Sequence, residues 1–168
     1  LDIYILSEDL KPKNTFYIQK AQLYANLGDS ESMLFEYMKE LLERPHQKPY
    51  IMSQIQRFVD NDGIKNDKNY QLVKRVLLKY VKQEKDRMDF IEILIWLFMQ
   101  NHQFEMALQQ AKALDRRNDS DGQVVFDLAE TFLDKKYYEL AIDAYDYVID
   151  KGLGNHLFIE SNTNKLYS

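Results

Sequence analysis

Gln103-Phe104-Glu105-Met106-Ala107-Leu108 and Tyr137-Tyr138-Glu139-Leu140-Ala141-Ile142 align without a gap, Ala107 falling on Ala141. Both read aromatic, Glu, apolar, Ala, aliphatic. Upstream of each lies a stretch with matching apolar positions: Ile91, Leu94, Ile95 and Phe98 before the first, Val125, Leu128, Ala129 and Phe132 before the second. These fall at i, i+3, i+4 and i+7, the stripe of a helix that packs along one face. Each copy is therefore a pair of helices, and a pair repeated at a fixed spacing predicts stacked helical hairpins.

The same frame fits near the N-terminus. Tyr17, Lys20, Ala21 and Tyr24 take the first-helix positions, with Lys20 departing from the apolar rule. Leu27-Gly28-Asp29 makes the turn, Gly28 ending one helix and Asp29 capping the next. Met33, Tyr37 and Leu41 continue the second helix, and Pro45 follows where it should stop. The interval from Met33 to Ala107 is slightly more than two repeats, so one longer unit fits between them. Its helices carry Ile51, Gln54, Ile55 and Phe58, then Val73, Val76, Leu77 and Tyr80. Its surplus sits in the polar stretch from Asp60 to Asp67. The units expected are residues 14–47, 48–87, 88–121 and 122–155 of one domain spanning 1–168. Partial helices at 1–9, closed by Lys11-Pro12, and at 156–168 flank them.

Composition agrees. Gly and Pro together number 8 of 168 residues, about 5% against roughly 12% on average, too few to punctuate a many-stranded sandwich or barrel. All eight fall at expected hairpin turns or between units. The longest apolar run, Ile93–Met99, is seven residues, far short of the roughly 20 a membrane span needs. There is no cysteine, hence no disulfide framework and no thiolate chemistry. The formal net charge of −5 speaks against a duplex nucleic-acid binder, which carries a basic face. Charge is uneven: residues 115–150 carry ten acidic and four basic side chains, net −6, and residues 61–87 eight basic and four acidic, net +4. The chain begins at Leu1 and reads as a piece of a longer protein, which leaves its compartment open.

Leu27-Gly28-Asp29 with Tyr24 and Pro45, Phe104-Glu105-Met106-Ala107-Leu108, and Tyr138-Glu139-Leu140-Ala141-Ile142 with Tyr145 together resemble the tetratricopeptide repeat family, over most of the chain. The family's Trp position holds Tyr17, Ile51, Ile91 and Val125 here; its Gly is kept at Gly28 and its closing Pro at Pro45. The resemblance implies an all-α, right-handed superhelix of antiparallel hairpins whose first helices line a concave groove. Projected onto this chain, the groove-facing residues are Ile18 and Gln22, Met52 and Gln56, Glu92 and Trp96, and Phe126 and Glu130. Members of the family that grip the acidic tails of heat-shock chaperones use Lys, Asn and Arg on these helices. Here Ile18, Gln22, Ser53, Asp89 and Ile93 stand instead, so that carboxylate clamp is absent. The implied function is a non-enzymatic scaffold that takes a protein or peptide segment with apolar and basic side chains, and no cofactor is called for. Trp96 is equally readable as a groove residue or as packing between hairpins.

Other chemistries are thinner. His46, His102 and His156 are the only histidines. His102 and Glu105 share one helical turn, but no second pair completes the four ligands of a structural zinc. Glu92 and Glu130 could face each other as two acids, yet glycoside chemistry also needs a sugar-shaped cleft. No phosphate-binding glycine loop occurs. Lys74, Arg75, Lys79 and Lys82 make the second unit basic, the basis of an alternative RNA-binding reading. The interleaved Val73, Val76, Leu77 and Tyr80 are the apolar stripe of that same helix. At the C-terminal end, Leu157, Phe158 and Ile159 offer no polar capping face. Homodimerisation through this segment, or pairing with further sequence, is the corresponding expectation.

Overall fold

The computed structural model describes residues 15–60 and 67–168. Among these the chain forms nine α-helices and no strand: α1 (Tyr17–Asn26), α2 (Ser30–Glu43), α3 (Lys48–Val59), α4 (Asp67–Gln83), α5 (Met88–Gln100), α6 (Phe104–Asn118), α7 (Gln123–Asp134), α8 (Tyr138–Ile149) and α9 (Phe158–Lys165). A 3₁₀ turn, Pro45–Gln47, separates α2 from α3. The flanking helix read at residues 1–9, the Lys11-Pro12 stop and most of the polar stretch around Gly63 lie outside the described residues.

The chain divides into two compact units, residues 1–89 and 90–168. In the first, α1 packs on α2, and α4 packs on both α2 and α3. The expected stripe residues Met33, Tyr37, Leu41, Ile51, Ile55, Val73, Val76 and Leu77 are all buried. Lys20, the misfit of the pattern, is buried as well and holds its ammonium over the Tyr17 ring at 5.6 Å. Its alkyl stem fills an apolar position while its charge finds an aromatic face. Arg87 closes this unit, donating to the carbonyl oxygens of Leu41 at 2.7 Å and Leu42 at 2.8 Å. Those carbonyls belong to the last turn of α2, which has no helical partners for them. Asp89 pairs with the same guanidinium.

In the second unit α7 packs against α6 and α8, and α8 against α9. Ile91, Leu94, Ile95, Phe98, Val125, Leu128, Ala129 and Phe132 are buried, so both repeated stripes form core. Phe104 is buried where Phe132 meets it edge-on at 5.8 Å and Tyr137 covers it at 4.6 Å.

Among the described residues, three short hairpin turns share one geometry. Gly28, His102 and Lys136 each have positive φ, at 75°, 56° and 64°. Behind each, the amide of the next residue reaches back five positions: Asp29 to Tyr24, Gln103 to Phe98, Tyr137 to Phe132, at 2.8–2.9 Å. The turn residue itself donates to the carbonyl three positions back. This pair of bonds is the Schellman helix stop, which demands a left-handed residue and favours glycine. His102 and Lys136 therefore stand in glycine's place. Asp29 caps α2 as expected, its Oδ1 accepting from the Ser32 amide at 3.1 Å, a contact worth about 1 kcal/mol. Hydrogen bonding to Ser32 also holds the Asp29 carboxyl below its usual pKa. At Gly122, φ 93°, α7 starts so close to α8 that a Cβ would come within 3.2 Å of Lys151 Cε and 3.3 Å of Val148 Cγ2.

Candidate functional site

The projected groove residues occupy four first helices and meet four different fates. On α1, Ile18 is half-buried and Gln22 is exposed, its amide 3.4 Å from the Tyr50 hydroxyl. On α3, Met52 and Gln56 are half-buried, and the Gln56 amide donates to Asp60. The Gln22 and Gln56 amides on α1 and α3 are thus already engaged, beside the half-buried Ile18 and Met52.

On α7, Phe126 is buried and meets the Tyr145 ring edge-on at 5.9 Å. Glu130 accepts from the Tyr145 hydroxyl and from Asn164 Nδ2, the latter at 2.7 Å. Burial, then the bond to Glu130 and its charge, push the Tyr145 hydroxyl well above the usual tyrosine pKa. Glu130 holds α9 in place, with Lys165 of α9 pairing to Asp146 of α8.

On α5 two residues interrupt an otherwise buried stretch. Phe90, Ile91, Ile93, Leu94, Ile95, Leu97 and Phe98 are all buried, and between residues 90 and 98 only Glu92 and Trp96 are not. They lie one helical turn apart on a common face. A carboxylate beside a half-buried indole is the window this stretch of helix opens.

The basic helix α4 spends several of its cations locally. Lys74 lies over Tyr70 at 5.7 Å, Lys79 over Phe35 at 4.7 Å, and Arg75 pairs with Glu31 at 3.5 Å. The His102 and Glu105 side chains are exposed, and the His102 ring stands edge-on to Phe104 at 5.6 Å. Among the described residues no three His, Asp or Glu side chains gather to hold a metal ion. Also among these, no helix is long and apolar enough to cross a membrane.

Sequence reasoning missed the cluster around Tyr147. Its hydroxyl donates to buried Asp115 at 2.7 Å, and Lys151 pairs with the same carboxylate at 2.6 Å. The cations of Lys112, Arg116 and Lys151 lie 5.5, 5.8 and 5.4 Å from its ring centre. Burial first, then the bond to Asp115 and its charge, raise the Tyr147 pKa to about 12. An aromatic among acids and bases one repeat apart was visible in the sequence, but nothing in helical periodicity assigns the charges to a common ring. The chain matches no protein-family model, no curated protein and no solved structure.

Proposed function

We propose that this chain is a tetratricopeptide-like repeat protein and works as a non-enzymatic interaction scaffold that binds a protein or peptide segment on its first-helix faces. The observation that carries the reading is the Glu92–Trp96 window on an otherwise buried stretch of α5. Indole at the edge of a core combines a large apolar area with little entropy to lose on binding, which is why Trp is enriched where binding energy concentrates. The neighbouring carboxylate selects a partner with a basic group next to its apolar one. The recurrence of one turn geometry at Gly28, His102 and Lys136 supports the repeat assignment, and a stacked array of such hairpins curls into a right-handed superhelix.

The test is a selection of random peptides on the chain, read by the fluorescence of its only Trp. Enrichment of apolar-basic sequences that shift Trp96 emission and lose affinity with Trp96→Ala or Glu92→Lys supports the proposal. Binding that survives both substitutions together overturns it. A salt titration identifies an RNA ligand, because phosphate contacts give a steep dependence that an apolar anchor does not.

A further inference from the structure

The repeated motif that reveals the hairpins has a second property in the second unit. Glu105, Lys136, Tyr137, Tyr138, Glu139 and Leu140 line an open cavity of about 330 Å³ in the second unit. At position 104 the motif's aromatic is buried beneath Phe132 and Tyr137. Its counterpart in the next copy, Tyr138, is 43% exposed, and Tyr137 beside it is 42% exposed. Glu105 and Glu139, also one repeat apart, are exposed at the starts of α6 and α8.

We propose that this cavity is an anchor for an arginine side chain of a basic peptide segment, a second contact that deepens, and rests on, the scaffold reading. Tyrosine rings attract a cation to their faces. A planar guanidinium stacks on such a ring while its edge N–H groups donate to carboxylates. Tyr137 and Tyr138 supply the rings, and Glu105 and Glu139 the carboxylates. Lys136 opposes them with one positive charge, leaving the lining at net −1. The surroundings reinforce this sign: residues 90–168 carry 13 acidic and 7 basic side chains, net −6. The excess of acidic side chains favours a cationic side chain there over a phosphate. Its volume is close to the lower bound for small-ligand pockets, roughly 300 Å³, and suits one long side chain.

The experiment is amide and indole NMR of the whole chain with acetyl-Gly-Arg-Leu-Arg-Gly-amide, against the same peptide with citrulline for arginine. Citrulline keeps the shape and removes the charge. Expected are shifts confined in this region to residues 104–106 and 136–140 with the arginine peptide, at least threefold weaker with citrulline. Glu105→Gln with Glu139→Gln, or Tyr138→Ala, should weaken the arginine titration at these amides at least threefold. Lys136→Gly should strengthen it. All these side chains are exposed, so the variants keep their fold, which unchanged shifts of the core amides verify. Equal response to both peptides, or titration unaffected by the three acid and ring substitutions, overturns the anchor. The Trp96 indole reports the α5 window separately: an indole response without a response at 136–140 leaves the scaffold reading standing and the anchor refuted.

Discussion

His102 and Lys136 stand one repeat apart and hold the same left-handed backbone, at φ 56° and 64°, with the same pair of amide bonds closing the helix behind each. A side chain in that conformation costs about 1 kcal/mol or more that glycine does not incur. Lys136→Gly is expected to raise stability by about 0.5–1 kcal/mol, after allowing for glycine's looser unfolded chain. His102→Gly gains less, because the imidazole's edge contact with Phe104 is lost. Urea midpoints with unchanged slope are the measurement. A lowered midpoint for Lys136→Gly would show that the backbone there is not left-handed in solution.

Arg87 reaches from the loop before α5 to the carbonyl end of α2. Charged donors to carbonyls contribute roughly 1.5–3 kcal/mol, so Arg87→Ala should cost that much. Arg87→Lys should recover less than half, since an ammonium cannot reproduce the two-pronged guanidinium geometry. Chemical denaturation of the three proteins decides it, and equal stability of wild type and Arg87→Ala contradicts the clamp.

Alkaline pH should loosen the fold through its tyrosines. Burial, aided by Tyr50, raises Tyr37 to about 12, and Tyr147 is raised to about 12; unfolded tyrosine titrates near 10. A folded pKa above the unfolded one means the contribution is intact below about pH 10 and disappears as pH climbs through about 12. Melting temperature should therefore fall over that window, and less steeply in Tyr147→Phe, which leaves Asp115 its Lys151 partner. Parallel curves for the two proteins would refute the assignment.

Asn164 donates to Glu130 at 2.7 Å. Asn164→Asp sets two carboxylates against each other there, so α9 should lose hydrogen-exchange protection by about tenfold or more while α7 and α8 keep theirs. Undiminished protection of residues 158–165 rules out this contact as what docks α9.

Much of the helical layout was legible because the period of the helix and the longer period of the repeat reinforce each other. Ile91, Leu94, Ile95 and Phe98 could be assigned to a core from spacing alone, and they are in it. Residue chemistry marked the hairpin turn only at Gly28. His102 and Lys136 carry no residue signal for a left-handed stop, and their positions follow from the repeat frame rather than from their chemistry. Among groove candidates, periodicity placed Glu92 and Trp96 together but could not foresee that Phe126 is covered or that Glu130 is taken by Tyr145 and Asn164. Such side-chain commitments depend on three-dimensional neighbours outside the helix itself, which a stripe pattern does not encode. Lys20 shows the converse: its identity argued for the surface, and its stem is buried all the same.

The polar bonds of the second unit have a kinetic meaning. Lys112 to Asp143 spans 31 residues, Asp115 to Tyr147 spans 32, and Asn155 to Asp121 and Asn164 to Glu130 each span 34. Each such loop is no longer than one repeat, so none waits on a distant part of the chain to arrive. Short closures of this kind characterise helical proteins that fold in microseconds to milliseconds. In the first unit the Arg87 clamp must bring together positions 45 and 46 residues apart. By loop-closure entropy that longer span costs only about 0.3 kcal/mol more than a 34-residue one, so the first unit draws together nearly as readily as the second.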